Sequence, residues 1–363
     1  MTRAAVLHQV GEPLRIADVE LAPCGAEQVR VRLAASGVCH SDLSMQNGTL
    51  PAVLPSVLGH EGAGVVTEVG AAVTRVSPGD HVILSWIPPC RSCAWCLAGQ
   101  PVLCERGMAD AFSAPYGTCD GRPVHAGLVG ATFGEETLVL ERAVVRIDAS
   151  VPMEVAALVG CSVATGVGAV INSARVAAGA TVAVIGCGGV GLCVVQGARL
   201  AGAVRIIAVD RVATKLELAS AMGATDTVVA GAGEEVAAVR ALTGGRGADH
   251  AFEVVGSAAT IRTAFAMTRR GGTTTLVGAG RADDQVCFGA LELFADAKTV
   301  QGCIYGSTDP DRDFPRLVDL YRAGRLDLDR LVTRRIALDE VNDAFRAMEA
   351  GEVARSVIVY GER

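Results

Sequence analysis

An apolar run, Thr181-Val-Ala-Val-Ile185, passes directly into Gly186-Cys-Gly-Gly-Val-Gly191 and then into the helical pattern of residues 190–201. A strand, a G-x-G-x-x-G turn and a helix in immediate succession set a pyrophosphate on a helix N-terminus. The glycines allow the tight turn and the close approach of backbone to phosphate. The surrounding chain agrees. Apolar runs at 205–209, 227–229, 250–254 and 273–277 alternate with helical stretches such as 215–222, the signature of a parallel sheet flanked by helices. The run at 205–209 leads into Asp210, near the spacing of a carboxylate that binds the adenosine ribose hydroxyls. Its charge would repel a 2′-phosphate and so favours NAD over NADP, with Arg211 beside it as the one contrary sign. Lys215 can reach the same ribose. It is one of only two lysines among 32 basic residues, which favours a role over the alternative of an ordinary exposed helix lysine. With Gly186, Gly188, Gly189, Val190 and Gly191, Val277 completes this part of the cofactor-binding set.

Residues 1 to about 160 read differently, as short Val-rich or alternating runs broken by Gly, Pro and Asp turns such as Ser77-Pro78-Gly79-Asp80. The last sixty residues hold two helical patterns, at 314–323 and 338–350, and a closing strand at 355–359. Half of the 363 residues are hydrophobic, enough for two cores, which excludes disorder and a disulfide-dependent mini-fold. A net charge of −7 argues against a nucleic-acid partner. The most apolar stretch, 181–198, nearly reaches bilayer length, but its five glycines fit the phosphate-binding turn better than a membrane span. The N-terminal residues lack the apolar core of a signal peptide, so a cytoplasmic location is expected. Thiols stay reduced there, and 12 cysteines then point to metal or catalysis rather than disulfides.

Two cysteine sets stand out. Cys90-x2-Cys93-x2-Cys96-x7-Cys104 fits a closed tetrahedral zinc site that holds a loop, with a disulfide pair as the alternative. The second set is dispersed: Cys39-His40-Ser41-Asp42, then Gly59-His60-Glu61-Gly62, then Gly160-Cys161. Two cysteines and a histidine are the donors that leave one zinc position open, but buried cysteines are often only small hydrophobes.

Taken in order, these pieces resemble the zinc-dependent medium-chain alcohol dehydrogenases along essentially the whole chain. The resemblance implies an α/β protein in two parts. A GroES-like β-rich catalytic domain would be built from residues 1–162 and 305–363, and a Rossmann NAD-binding domain with a doubly wound parallel sheet from 163–304. It further implies that Cys39, His60 and Cys161 hold a catalytic zinc and that Cys90, Cys93, Cys96 and Cys104 hold a structural one. Glu61 matches an acidic neighbour that approaches the metal transiently, and Asp42 the carboxylate that orients the histidine ligand. Arg355 and His40 match positions that face the pyrophosphate.

The implied reaction is reversible hydride transfer between a primary or secondary alcohol and NAD+, with zinc as the Lewis acid that lowers the alcohol pKa. Ser41 would contact the substrate oxygen and pass its proton outward. Many relatives end this relay in a histidine where Ser44 stands here, so water or His40 would finish it. Trp86 falls where relatives place a large aromatic against the substrate. Leu50, Phe112 and Phe133 are further candidate walls of an apolar pocket, with ordinary core packing as the alternative. A thiol-dependent formaldehyde dehydrogenase, acting on the S-hydroxymethyl adduct of mycothiol or glutathione, is the second reading. Against its glutathione form, Asn47-Gly48-Thr49-Leu50 lacks acidic residues to hold the thiol's ammonium group. A non-catalytic NAD(H)-binding sensor is a third reading, opposed by the presence of all three zinc donors together with Ser41. A homodimer is expected, paired along 299–305.

Overall fold

A computed structural model describes residues 1–361, apart from the side chains of 111–115. The chain divides into two compact units. One comprises Met1–Ser162, Asp309–Gly324 and Leu328–Arg363; the other comprises Val163–Thr308 and Arg325–Asp327.

The second unit is a six-stranded sheet, parallel throughout. Its spatial order is Asp226–Val229, Arg205–Asp210, Thr181–Ile185, Ala248–Glu253, Thr268–Leu276, Thr299–Gly302. Numbered along the chain this is 3-2-1-4-5-6, the doubly wound order, and it reverses beside Thr181–Ile185. Val182, Ala183 and Val184 are fully buried because apolar clusters cover both faces of the sheet, which explains a continuous rather than alternating apolar run. The fifth strand begins at Thr268, five residues before the apolar run 273–277 that announces it in the sequence. Its polar start, Arg269-Arg270, follows directly on the helix Ala258–Met267 and conceals the strand from any reading of hydrophobic pattern.

The first unit carries two β systems. Thr2–Leu7, Arg15–Leu21, Ala114–Cys119, Arg122–Ala126 and Ser56–Val57 close a small barrel. A seven-stranded sheet runs Val144–Ile147, His81–Leu84, Glu61–Val69, Gln28–Val38, Arg355–Val359, Val332–Ile336, with Glu136–Leu140 also paired to Gln28–Val38. Val31, Val66, Phe133 and Ile358 belong to the core beneath it. Within this sheet Gly37 lies opposite Glu61, and Ser356 opposite Val38, so three distant stretches of chain converge at the end of Gln28–Val38. The pattern at 338–350 resolves into a 3-10 turn, Leu338–Glu340, followed by the helix Val341–Glu349.

Among the described residues one helical run, Met153–Ser173, is long and apolar enough by composition to cross a membrane, at 21 residues and a mean hydropathy of 1.8. Its most apolar window is 89% buried within the protein, as a core helix is.

Candidate active site and metal centres

Cys39, at the end of Gln28–Val38, precedes the short helix His40–Gln46. His60 precedes the strand Glu61–Val69, and Cys161 sits in a π-helical turn, Val159–Val163, of the kind that interrupts helices at functional sites. The donor atoms of Cys39, His60, Glu61 and Cys161 all lie within 4.8 Å of one another, and all four residues are buried. Asp42, itself fully buried, organises the group. It accepts from the Cys39 N–H at 3.1 Å and the Gly59 N–H at 3.0 Å, and lies 3.0 Å from His60 Nδ1. A donating Nδ1–H leaves Nε2 as the coordinating nitrogen.

The electrostatics are those of a cation site. The Cys39 thiol is held well below the usual range by hydrogen bonding from Cys161, and the same bond drives Cys161 well above it. Against the cost of burial, Asp42 and Cys39 carry His60 well above its ordinary value. Burial pushes the Glu61 carboxyl up to about 7 against the pull of Arg355. Glu61 Oε2 accepts from the Arg355 guanidinium, while Oε1 is buried with no hydrogen-bond partner among the described residues. Two thiols and an imidazole, with the Glu61 carboxylate also within 4.8 Å, fit a soft divalent cation that takes three protein donors and keeps one position open.

The sulfurs of Cys90, Cys93, Cys96 and Cys104 likewise lie within 4.8 Å of one another. Here the backbone turns its N–H groups to sulfur: Cys93 N–H and Ser92 Oγ donate to Cys90, and the N–H groups of Cys90 and Gly107 donate to Cys104. Hydrogen bonding from Ser92 brings Cys90 down to about 5, and burial pushes Cys96 up to about 12. Four thiol donors with no water position suit a closed tetrahedral ion.

In the other unit, Gly186 has φ +92° and Gly188 caps the helix Gly189–Leu200. A Cβ on Gly191 would collide with the Gly186 carbonyl, so the turn requires glycine there. Asp210 accepts from the Cys187 N–H at 2.7 Å and the Val212 N–H at 2.9 Å, which fixes its carboxylate at the strand end. Lys215 lies half-buried on Ala213–Ala221, one turn past Asp210. Val277 is half-buried and donates its N–H to the Glu253 carbonyl on the neighbouring strand.

Known proteins agree along the chain. Residues 25–152 match the alcohol dehydrogenase GroES-like domain, and residues 189–323 match the zinc-binding dehydrogenase family. The chain is 40% identical to the NDMA-dependent alcohol dehydrogenase of Amycolatopsis methanolica, over 99% of both chains. It belongs to the zinc-dependent medium-chain alcohol dehydrogenases. The S-(hydroxymethyl)glutathione dehydrogenase of Paracoccus denitrificans is 37% identical, over 99% of this chain and all of that one. The solved benzyl alcohol dehydrogenase of Acinetobacter calcoaceticus superposes with a TM-score of 0.93 at 32% identity, over 99% of each chain. The protein is therefore an oxidoreductase with zinc and NAD as its cofactors.

The remaining candidate residues of this dehydrogenase fall in different places. Ser41 Oγ lies 3.8 Å from Cys39 Sγ at the edge of the buried group, and His40 is exposed. Ser44 is buried. Trp86 meets the His60 ring edge-on, with centroids 6.2 Å apart, and Leu50 lies half-buried against the same core. Phe133 is fully buried beside Phe345 and packs in the core. The side chain of Phe112 lies outside the described residues. Arg355 is 5% exposed and turned onto Glu61 in a buried pair. Sequence reasoning missed Gly37, where a Cβ would collide with Glu61 Oε2. Nothing in the local sequence marks it, because the collision depends on the cross-strand pairing.

Proposed function

We propose that this dehydrogenase oxidises apolar primary or secondary alcohols with NAD+ and runs in reverse on the aldehydes or ketones. Cys39, His60 and Cys161 hold the catalytic zinc, and Cys90, Cys93, Cys96 and Cys104 the structural one. The observation that carries this reading is the buried convergence of Cys39, His60, Glu61 and Cys161 donor atoms within 4.8 Å. Bound zinc supplies Lewis acidity that makes an alcohol O–H acidic near neutral pH, and NAD+ supplies the hydride acceptor. The chain's own residues do the rest. Ser41 takes the substrate proton and passes it to His40 or water, since Ser44 replaces a terminal histidine. Asp42 keeps His60 in one tautomer, and Gly37 leaves room for the Glu61 carboxylate beside the metal. Trp86 and Leu50 give an apolar wall, which favours benzylic, allylic or aliphatic alcohols over charged ones.

Asp210 selects NAD by accepting from the ribose hydroxyls, since a carboxylate with two backbone partners keeps lone pairs to spare. Gly186, Gly188, Gly189, Val190 and Gly191 receive the pyrophosphate, and Lys215, Val277, His40 and Arg355 contribute to the same cofactor. The protein works in a reducing compartment, the cytoplasm, where its cysteines remain thiols. It acts as a homodimer paired along 299–305, a segment that begins with the edge strand Thr299–Gly302.

The test is NADH formation by zinc-replete protein with benzylic, allylic and aliphatic alcohols, and with formaldehyde in the presence or absence of glutathione or mycothiol. Turnover of free alcohols that is lost in Cys39→Ser supports the reading. Turnover only with formaldehyde plus one thiol replaces it with the adduct activity. NAD binding without any turnover replaces it with a sensor.

A further inference from the structure

The segment behind His60 carries its strain in an unexpected order. Leu128, Val129 and Ala131 have φ of +47°, +65° and +44°, whereas Gly130 between them has an ordinary φ of −77°. Left-handed backbone is unfavourable for residues with a Cβ, most of all for a β-branched one such as Val129. A loop selected only for easy turning would place its glycine at one of the positive angles. Here the glycine answers a different need: a Cβ on Gly130 would stand 2.9 Å from His60 Cα and 3.0 Å from the Gly59 carbonyl oxygen. Closeness to His60 has been kept, and the unfavourable angles fall to leucine, valine and alanine.

The surroundings hold the segment in that conformation. Leu128, Val129 and Ala131 are all buried. The Thr137 hydroxyl donates to the Gly130 carbonyl at 2.6 Å, and Tyr360 donates to the Thr132 carbonyl at 2.6 Å. Thr132 N–H and Phe133 N–H donate to the carbonyls of Gly59 and Leu58, both at 2.9 Å. The Ser36 and Thr132 hydroxyls share a hydrogen bond of 2.6 Å. Asp42 holds the Gly59 N–H and the His60 ring as well, so His60 is tied both to a carboxylate and to this strained segment.

We propose that Leu128, Val129 and Ala131 form a strained buttress whose function is to position His60 for metal binding. Strain of this kind persists only where neighbouring structure enforces it, and it collects at sites that need a preset geometry. These are positioning residues; none belongs to the donor group. The inference rests on the reading of Cys39, His60 and Cys161 as the catalytic metal ligands.

Ala131→Gly tests it most cleanly, because it relieves a positive φ and removes a single methyl group. Gly130→Ala is the opposing variant, pressing a Cβ onto His60. Each protein would be exchanged with cobalt(II), its visible ligand-field spectrum recorded, and metal loss to a chelator followed alongside the thermal midpoint. For Ala131→Gly we expect an unchanged or higher midpoint, a severalfold faster loss from the Cys39–His60–Cys161 site, an altered cobalt spectrum, and unchanged loss from the four-cysteine lobe. Gly130→Ala should shift the spectrum and speed loss from the same site. Parent-like spectra and loss rates in both variants would overturn the buttress, as would a lower midpoint in Ala131→Gly with parent-like metal loss. A parent that holds metal only in the four-cysteine lobe would remove the ligand reading itself, and the buttress with it.

Discussion

The two sulfur clusters share one compact unit and are built in opposite ways. The lobe takes its four donors from fifteen consecutive residues, 90–104, on short turns whose Leu97 is 76% exposed. Backbone N–H groups of the loop itself turn to sulfur, and little apolar burial holds the lobe in shape. The other cluster draws on residues between 39 and 161, every donor buried, and the sheet pairing of Gly37 with Glu61 brings its parts together. A metal in the lobe would substitute for a missing core and so act on folding. The dispersed cluster is held by sheet pairing and buried surroundings of its own, so an ion there would be free to serve chemistry. Position in the sequence thus separates a mechanical ion from a reactive one.

Removing a donor from each cluster probes that contrast. Cys39→Ser should cost at least ~10³-fold in kcat, the loss of several kcal/mol of Lewis-acid stabilisation, and halve the zinc content while the thermal midpoint changes little. Metal analysis with steady-state kinetics checks this, and a variant that unfolds would break the contrast. Cys104→Ser should do the reverse. Its midpoint should fall by ~5–10 °C, on a scale of about 2–4 °C per kcal/mol for chains somewhat shorter than this, while the kcat of the surviving folded fraction stays near the parent's.

Asp42→Asn should have an intermediate effect. The amide keeps the shape but can present only one oxygen to the three groups that Asp42 now serves. Loss of such a supporting carboxylate typically costs ~10–100-fold in metal affinity or activity. Competition for zinc against a chromophoric chelator would measure it, with lobe occupancy as the internal reference. A parent-like affinity would mean that the sheet alone orients His60.

How far each cluster could be read from sequence follows the same division. The lobe is legible from spacing because all four donors lie on one loop, and the nucleotide turn because strand, glycines and helix are contiguous. Cys39, His60 and Cys161 are weak candidates by spacing and gain weight only through resemblance to a family. The partnership of Arg355 with Glu61 spans 294 residues and leaves no local trace. Nor do the barrel pairings, the late apolar start of the strand at Thr268, or the positive angles at Leu128 and Val129, which depend on neighbours supplied by the fold. Phe133 shows the limit from the other side: a phenylalanine suits a pocket wall or a core equally well, and only packing against Phe345 distinguishes them.

The smallest expected effect bears on how the lobe is moored. Arg91, between Cys90 and Cys93, donates to Asp309 and Asp311 at the start of the helix Pro310–Arg322. Because the Arg91 side chain is 42% exposed, solvent screens the pair and Arg91→Ala should cost only about 0.5–1 kcal/mol, with kcat unchanged. The pH dependence distinguishes this charge interaction from packing. Burial raises the Asp309 pKa, but hydrogen bonding from Arg91, the charges of Arg91 and Arg312 and the Asp311 backbone together outweigh it and leave the carboxyl below its ordinary value. A depressed carboxyl contributes stability that is fully present above its unfolded pKa of about 3.9 and is lost as pH falls through the lower folded value. The gap in stability between parent and Arg91→Ala should therefore be constant from neutral pH down to about 5 and close below about 4. Denaturant unfolding at stepped pH would show it. A gap that persists at low pH would mean that Arg91 holds the lobe by packing of its side chain, and that the lobe's mooring owes nothing to charge.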